Sequence, residues 1–180
     1  MKALMALNQR QALLEALPDH SAILEWGSGG TSLWLLENMR DDQSLTSVEH
    51  SLQWSHELRR QVLKRDLAHK WELLYRPVSH EGKNATPWEE CPAGAAEYIG
   101  TPADLADFDV ILIDGIARGA CLARLLNYGE KVGWPLCPAI FIHDSSRPWY
   151  DWALAMAGSV ERIEPDPGEY PAQLARVKMC

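Results

Sequence analysis

The sequence predicts an α/β sandwich: a mostly parallel sheet of about seven strands, helices on both faces, and an antiparallel strand at the carboxyl end. Two observations carry this expectation. Short apolar runs alternate with amphipathic stretches along the chain, the pattern of repeated strand–helix units. Two of the runs, FDVILIDG (Phe108–Gly115) and PAIFIHD (Pro138–Asp144), are apolar almost without a break, as strands covered on both faces must be. A chain of 180 residues, 47% hydrophobic and 23% charged, suits one domain with one sizeable core, residues 1–180.

Each element follows from local pattern. Residues 1–20 hold a first helix, with apolar residues at helical spacing from Leu4 to Leu17 and Pro18-Asp19 as its stop. SAILEW is a buried strand ended by glycines, and Thr31–Met39 a helix with Thr31 or Ser32 as N-cap. Ser44–His50 alternates as a second strand. Ser51–Leu67 is a long helix with Leu52, Leu58, Val62 and Leu63 on its inner side, and Trp71–Val78 is a third strand. Residues 79–107 carry Gly, Pro and polar side chains with little periodicity; a loop of that length inside a compact domain reads as a lid, with one short helix near Ala95–Ile99 and Trp88 placed to close over a pocket. Phe108–Gly115 and Pro138–Asp144 are the two strongest strands, each followed by a helix, Ala117–Leu126 and Arg147–Ala157. SVERIE and QLARVKM complete the sheet, and the proline-rich PDPGEYP between them fits a hairpin.

Several function classes are disfavoured by composition. The net charge is -8, whereas duplex binding draws on Lys and Arg at phosphates, so nucleic acid is not an expected partner. The four cysteines form no C-x-x-C pair and are read as reduced thiols of a cytoplasmic protein. No apolar run approaches the roughly 20 residues needed to span a bilayer, and the amino-terminal stretch reads as an amphipathic helix, so no membrane is expected either.

The chemistry is carried by strand ends. In open α/β sheets ligands bind beyond the carboxyl ends of the strands, at the switch point. Those ends carry Glu25, Glu49, Asp114, His143 and Asp144. The turn ILEWGSGGTS supplies Gly27, Gly29 and Gly30, which let backbone approach a ligand closely. Glu49 stands twenty positions after Gly29, placed to accept both hydroxyls of a ribose. A dinucleotide fold shares these features, but Glu25 precedes the turn by two residues, and a carboxylate there would repel a pyrophosphate at the helix start. A cationic ligand with a ribose and no phosphate suits both acids, and S-adenosylmethionine is one.

At this point the chain resembles the class I S-adenosylmethionine-dependent methyltransferases, whose fold is Rossmann-like. The matching pieces are LEWGSGGTS, SVEH, FDVILIDG and AIFIHD, spanning about Ser21 to Ala157. The resemblance implies that Glu25, Gly27, Ser28, Gly29 and Gly30 line the methionine end of the cofactor, that Glu49 holds the ribose, and that Thr31, His50 and Asp114 belong to the same cofactor site. For the adenine it offers Ser79, His80 and Glu81 as loose candidates. The activity implied is methyl transfer to a small-molecule acceptor.

The second half supplies a reactive mouth. IDGIARGAC and IHDSSRPWY are matched: each is a strand ending in an acid, followed by an arginine at a helix start. Methyl transfer to oxygen needs a base, and His143 is the candidate, with Asp114 and Asp144 assisting. The same aspartates are the residues that would hold Mg2+, the less favoured reading. Arg118 and Arg147 are expected either to clamp an anionic acceptor or to pair with those aspartates, and Trp149 to wall the substrate pocket. No DPPY-like motif follows the strand ending at Asp114, which argues against a base methylase. The rival readings are a methyltransferase-like scaffold without turnover and, further off, a nicotinamide oxidoreductase. Edge strands and surplus tryptophans allow a homodimer.

Overall fold

The computed structural model describes residues 4–78, 94–134 and 137–178. The strands are β1 (Ala22–Trp26), β2 (Ser44–Glu49), β3 (Trp71–Tyr75), β4 (Val110–Ile113), β5 (Ala139–His143), β6 (Ser159–Ile163) and β7 (Leu174–Lys178); the α-helices are α1 (Leu7–Glu15), α2 (Gly30–Asn38), α3 (Leu52–Lys64), α4 (Ala96–Gly100), α5 (Arg118–Val132) and α6 (Asp151–Leu154). One seven-stranded sheet runs in the order β3-β2-β1-β4-β5-β7-β6. The first five strands in the chain pair in parallel, and β7 pairs antiparallel with both β5 and β6. The predicted α/β sandwich and its terminal hairpin are both present.

Strand alternation divides the core in two. Ile23, Leu45, Val110, Leu112 and Phe141 point to one face, against Leu13 of α1, Leu33, Leu35 and Leu36 of α2 and Leu58 and Val62 of α3. Their neighbours Leu24, Trp26, Val48, Ile111, Ile113, Ile140 and Ile142 point to the other, against Tyr98 of α4, Cys121, Leu122 and Leu125 of α5 and Ala153 of α6. Both faces being covered explains the unbroken apolar run of β4, buried at all four positions.

Several local expectations are corrected. The N-cap of α2 is Gly29; Thr31 and Ser32 lie inside the helix, and the Ser32 hydroxyl accepts from the Gly29 N–H at 2.8 Å. Leu52 and Leu63 are exposed because α3 presents only its Ser55–Leu58–Val62 stripe to the sheet. The helix expected over Arg147–Ala157 is a 3-10 turn, Pro148–Tyr150, followed by the single turn of α6. Helix α5 runs six residues beyond the predicted Leu126, to a Gly133 cap with φ of 72°. Of the expected lid, residues 94–107 are described and hold α4, while 79–93, with Trp88 and the adenine candidates Ser79, His80 and Glu81, lie outside the described residues. None of the described helices is long and apolar enough to cross a membrane.

Candidate active site

The switch point lies between β1 and β4, where the chain leaves the sheet in opposite directions. Register then decides which side chains meet. Glu25 lies opposite Ser47 of β2, and Ile113 of β4 lies opposite Ile142 of β5. The next residues in register, Asp114 and His143, therefore emerge side by side on the face that carries Glu25. A cleft of about 270 Å³ opens there, lined among others by Glu25, Gly27 to Thr31, Asp114, Arg118, His143, Asp144 and Arg147.

The glycine turn is shaped by a close backbone contact. Gly27 has φ of 97° and donates its N–H to Val48 O at 2.8 Å. A Cβ on Gly27 would stand 2.5 Å from the Cα of Gly115 in the loop after β4, and one on Gly115 would stand 2.1 Å from the Tyr98 hydroxyl oxygen. The two loops that bracket the switch point can touch only as glycines. At Gly29, by contrast, the space a Cβ would take is open, so the α2 end of the turn is free to receive a ligand.

Glu25 sits at the floor, 1% exposed. One of its oxygens accepts from the Ser32 hydroxyl at 2.6 Å and from the Ser47 hydroxyl at 3.0 Å. Burial pushes its carboxyl up to about 8; the Ser32 bond opposes, Asp114 adds to the rise, Ser47 opposes and Glu49 adds. The acid is therefore held in its protonated form near neutral pH, and a cation placed beside it would favour ionisation. Glu49 behaves differently. Burial is the largest influence and would raise its pKa, but the His50 side chain, the Ser51 N–H and Ser28 outweigh it and hold Glu49 below the usual value. Its Oε2 accepts from Ser28 N (2.7 Å) and Ser28 Oγ (2.9 Å), its Oε1 from His50 N (2.9 Å) and Ser51 N (2.6 Å). Glu49 and His50 thus stand behind the glycine turn, His50 with its ring edge-on to Tyr98 at 5.8 Å, and neither lines the cleft.

Across the cleft, His143 Nδ1 lies 2.8 Å from Asp114 Oδ1, while Nε2 is buried and has no hydrogen-bond partner among the described residues. Burial would raise Asp114, but its bond to His143 and the charges of His143, Arg118 and Arg147 outweigh it and depress the pKa. An acceptor carboxylate at Nδ1 fixes the proton there and leaves Nε2 as the basic nitrogen. Asp144 has φ of 55°, an uncommon left-handed conformation for a residue with a side chain, and its Oδ2 takes Arg118 Nη1 at 3.2 Å and Arg147 Nη2 at 2.7 Å.

Arg118 is a tie between loops. Its Nε donates to Gly115 O, Nη1 to His143 O and Asp144, and Nη2 to Asp114 O, with Asp114 Oδ1 3.4 Å away. Of the two expectations for Arg118, the structure has the pairing with the aspartates and not the substrate clamp: the guanidinium is committed to protein, while Arg147, also bonded to Asp144, is partly exposed at the cleft. Trp149 is corrected too. It meets Tyr150 edge-on at 6.5 Å and does not line the cleft, because the 3-10 turn directs it away; Trp152 lies over Gly119. The cleft takes its aromatic character from Trp54 and Tyr170, which the sequence reading missed. Trp54 was legible from its place three residues after the Ser51 cap, at the sheet's carboxyl edge. For a metal the donors do not fit: Asp114 already faces Arg118 and His143, Asp144 faces Arg118 and Arg147, and among the described residues no three His, Cys, Asp or Glu come together to hold an ion.

No protein-family model matches the chain, and no curated protein matches it. Solved structures do. The molecule aligns over 100% of its length with 93% of precorrin-6y C5,15-methyltransferase from Geobacter metallireducens GS-15, at a TM-score of 0.62 and 16% identity. The chain has the fold of the class I methyltransferases. A methyltransferase-like protein from Silicibacter pomeroyi DSS-3 matches 98% of this chain and 88% of its own at TM-score 0.62 and 19% identity. Fibrillarin from Aeropyrum pernix, solved with natively bound S-adenosyl-L-methionine, matches 88% of this chain and 66% of its own at TM-score 0.55 and 14% identity. At such identities the likeness is one of fold, and the methyltransferase fold places its switch point where Glu25, Asp114 and His143 meet.

Proposed function

We propose that the protein transfers the methyl group of S-adenosylmethionine to a hydroxyl oxygen of a small-molecule acceptor. The observation that carries this reading is Glu25, a buried acid under the glycine turn of a methyltransferase fold. An ammonium group beside Glu25 would let the buried acid ionise and pair with it, a gain that a pyrophosphate, which would hold the acid protonated, does not offer. The open space beside Gly29 receives the amino-acid end of the cofactor, and Ser28, tied to Glu49, sets the turn against the ribose. When bound, the cofactor supplies an electrophilic methyl on sulfonium sulfur. The residues of this chain do the rest. Asp114 holds His143 in one tautomer, and His143 Nε2 takes the proton of the acceptor hydroxyl as its oxygen bonds to the methyl. Arg118 keeps the β4 and β5 loops in register, so both groups face one point.

A scaffold without turnover draws on Glu49, whose two oxygens already accept four protein bonds, so a ribose has to displace Ser28. Calorimetry with S-adenosylhomocysteine and S-adenosylmethionine tests both. Binding that is lost in Glu25→Ala supports the cofactor site. No binding by the folded chain overturns it. Binding together with no methyl transfer to any acceptor leaves the scaffold.

A further inference from the structure

We infer that the acceptor is a phenolic carboxylate, a flat hydroxylated ring bearing an acid group, and that Trp54, Tyr170 and Arg147 select it. This rests on the methyltransferase reading above. Three segments far apart in the sequence bring exposed apolar side chains to the same cleft: Leu4 ahead of α1, Trp54 in the first turn of α3, and Tyr170 in the connection between β6 and β7. They are 60%, 50% and 43% exposed. Single exposed apolar residues are ordinary on a protein surface. Their convergence on the mouth of one concave, otherwise polar site is the pattern of a ligand wall. Trp and Tyr present flat faces at low conformational cost, and such faces suit a planar ring.

The floor of the cleft points the same way. His143 is 3% exposed and lines the cleft, and its Nε2 has no hydrogen-bond partner among the described residues. A neutral imidazole is a weak base; it matches a phenol, with a pKa of about 10, far better than an aliphatic alcohol several units higher. In the step, the phenol proton passes to Nε2, the oxygen–methyl bond forms, the sulfur–methyl bond breaks, and its electron pair stays on sulfur as a neutral thioether. Asp114 is held ionised, and Glu25 becomes so beside the cofactor's ammonium, so a carboxylate on the ring must lie away from this floor, at the rim. There Arg147 lines the cleft, oriented by its 2.7 Å bond to Asp144. A guanidinium is the side chain that takes a carboxylate by paired hydrogen bonds.

The test is a methylation assay of the full chain, read by mass spectrometry. The probes are hydroxybenzoates and hydroxycinnamates, catechol as a ring without carboxylate, and lactate and malate as hydroxy acids without a ring. Hydroxybenzoate or hydroxycinnamate is expected to exceed catechol at least tenfold in kcat/KM, with no methylation of lactate or malate. Trp54→Ala and Tyr170→Ala each raise KM about tenfold, and Trp54→Phe and Tyr170→Phe restore it. Arg147→Gln removes the preference over catechol. Equal use of lactate or malate, or an unchanged KM in both alanine variants, overturns the proposal. So does binding of S-adenosylhomocysteine with neither methylation nor calorimetric binding of any phenolic acid, which leaves the cofactor reading standing. A chain that binds no S-adenosylhomocysteine overturns the parent reading instead.

Discussion

Replacing Glu25 with Gln tests the central electrostatic claim without any substrate. The Glu25 carboxyl stands at about 8 in the folded protein against an ordinary value of 4.5, chiefly because it is buried. A carboxyl raised in this way is protonated when folded and ionised when unfolded between those two values. Its effect on stability is therefore absent below pH 4.5, grows as pH rises, and is complete above about 8. The interval corresponds to at most about 5 kcal/mol at about 1.36 kcal/mol per pH unit, a large part of a typical domain's stability. Glutamine is neutral at every pH and keeps an oxygen for the Ser32 and Ser47 hydroxyls. Urea unfolding of wild type and Glu25→Gln at pH 5, 6.5 and 8.5 reads the effect as a difference, in which all other titrating groups cancel. The variant is expected to match wild type near pH 5 and to exceed it by several kcal/mol at pH 8.5. A difference that does not change with pH would refute the reasoning.

The same linkage predicts that binding S-adenosylhomocysteine at pH 7 releases close to one proton, as Glu25 ionises beside the ligand's ammonium; calorimetry in two buffers of unlike ionisation enthalpy measures it, and no release counts against the pairing. Asp114→Asn should lower kcat by about 10²- to 10⁴-fold with little change in cofactor affinity, because an amide can also turn its NH2 to Nδ1 and no longer fixes the tautomer of His143; unchanged kcat removes His143 as base. Gly115→Ala should cost about 2 kcal/mol or more, since its Cβ meets the Tyr98 hydroxyl and the Gly27 backbone, and chemical denaturation reads this directly. Ala117, at φ of 51° ahead of α5, sits in the left-handed region, so Ala117→Gly should stabilise the protein by about 1 kcal/mol. A lower midpoint at equal slope would contradict that.

Much of this was legible in the sequence because it depends on local pattern. The apolar runs announced β1, β4 and β5, PDPGEYP announced the terminal hairpin, and the acid-plus-glycine turn marked the cleft. The misses arose where partners were distant. Nothing local says that Gly27 must meet Gly115, or that Arg118 will reach Asp114, Gly115, His143 and Asp144 at the ends of two neighbouring strands. Trp149 looked like a cleft wall because it follows His143 closely in sequence, but the 3-10 turn Pro148–Tyr150 directs it away. Tyr170 looked like loop and proved to be rim, since its position depends on how the β6–β7 hairpin folds back over the sheet edge.

The order β5-β7-β6 also bears on how the molecule assembles. Strand β7 follows all the others in the chain, yet it is inserted between two of them. Until residues 174–178 arrive, β5 has an open edge on one side, and its Ile140, Phe141 and Ile142 form an apolar strand with unpaired amides. Such an edge is a template for pairing with another chain. A nascent or proteolysed chain that ends before Leu174 would therefore be drawn toward self-association, so the carboxyl-terminal strand protects the rest of the sheet from its own kind.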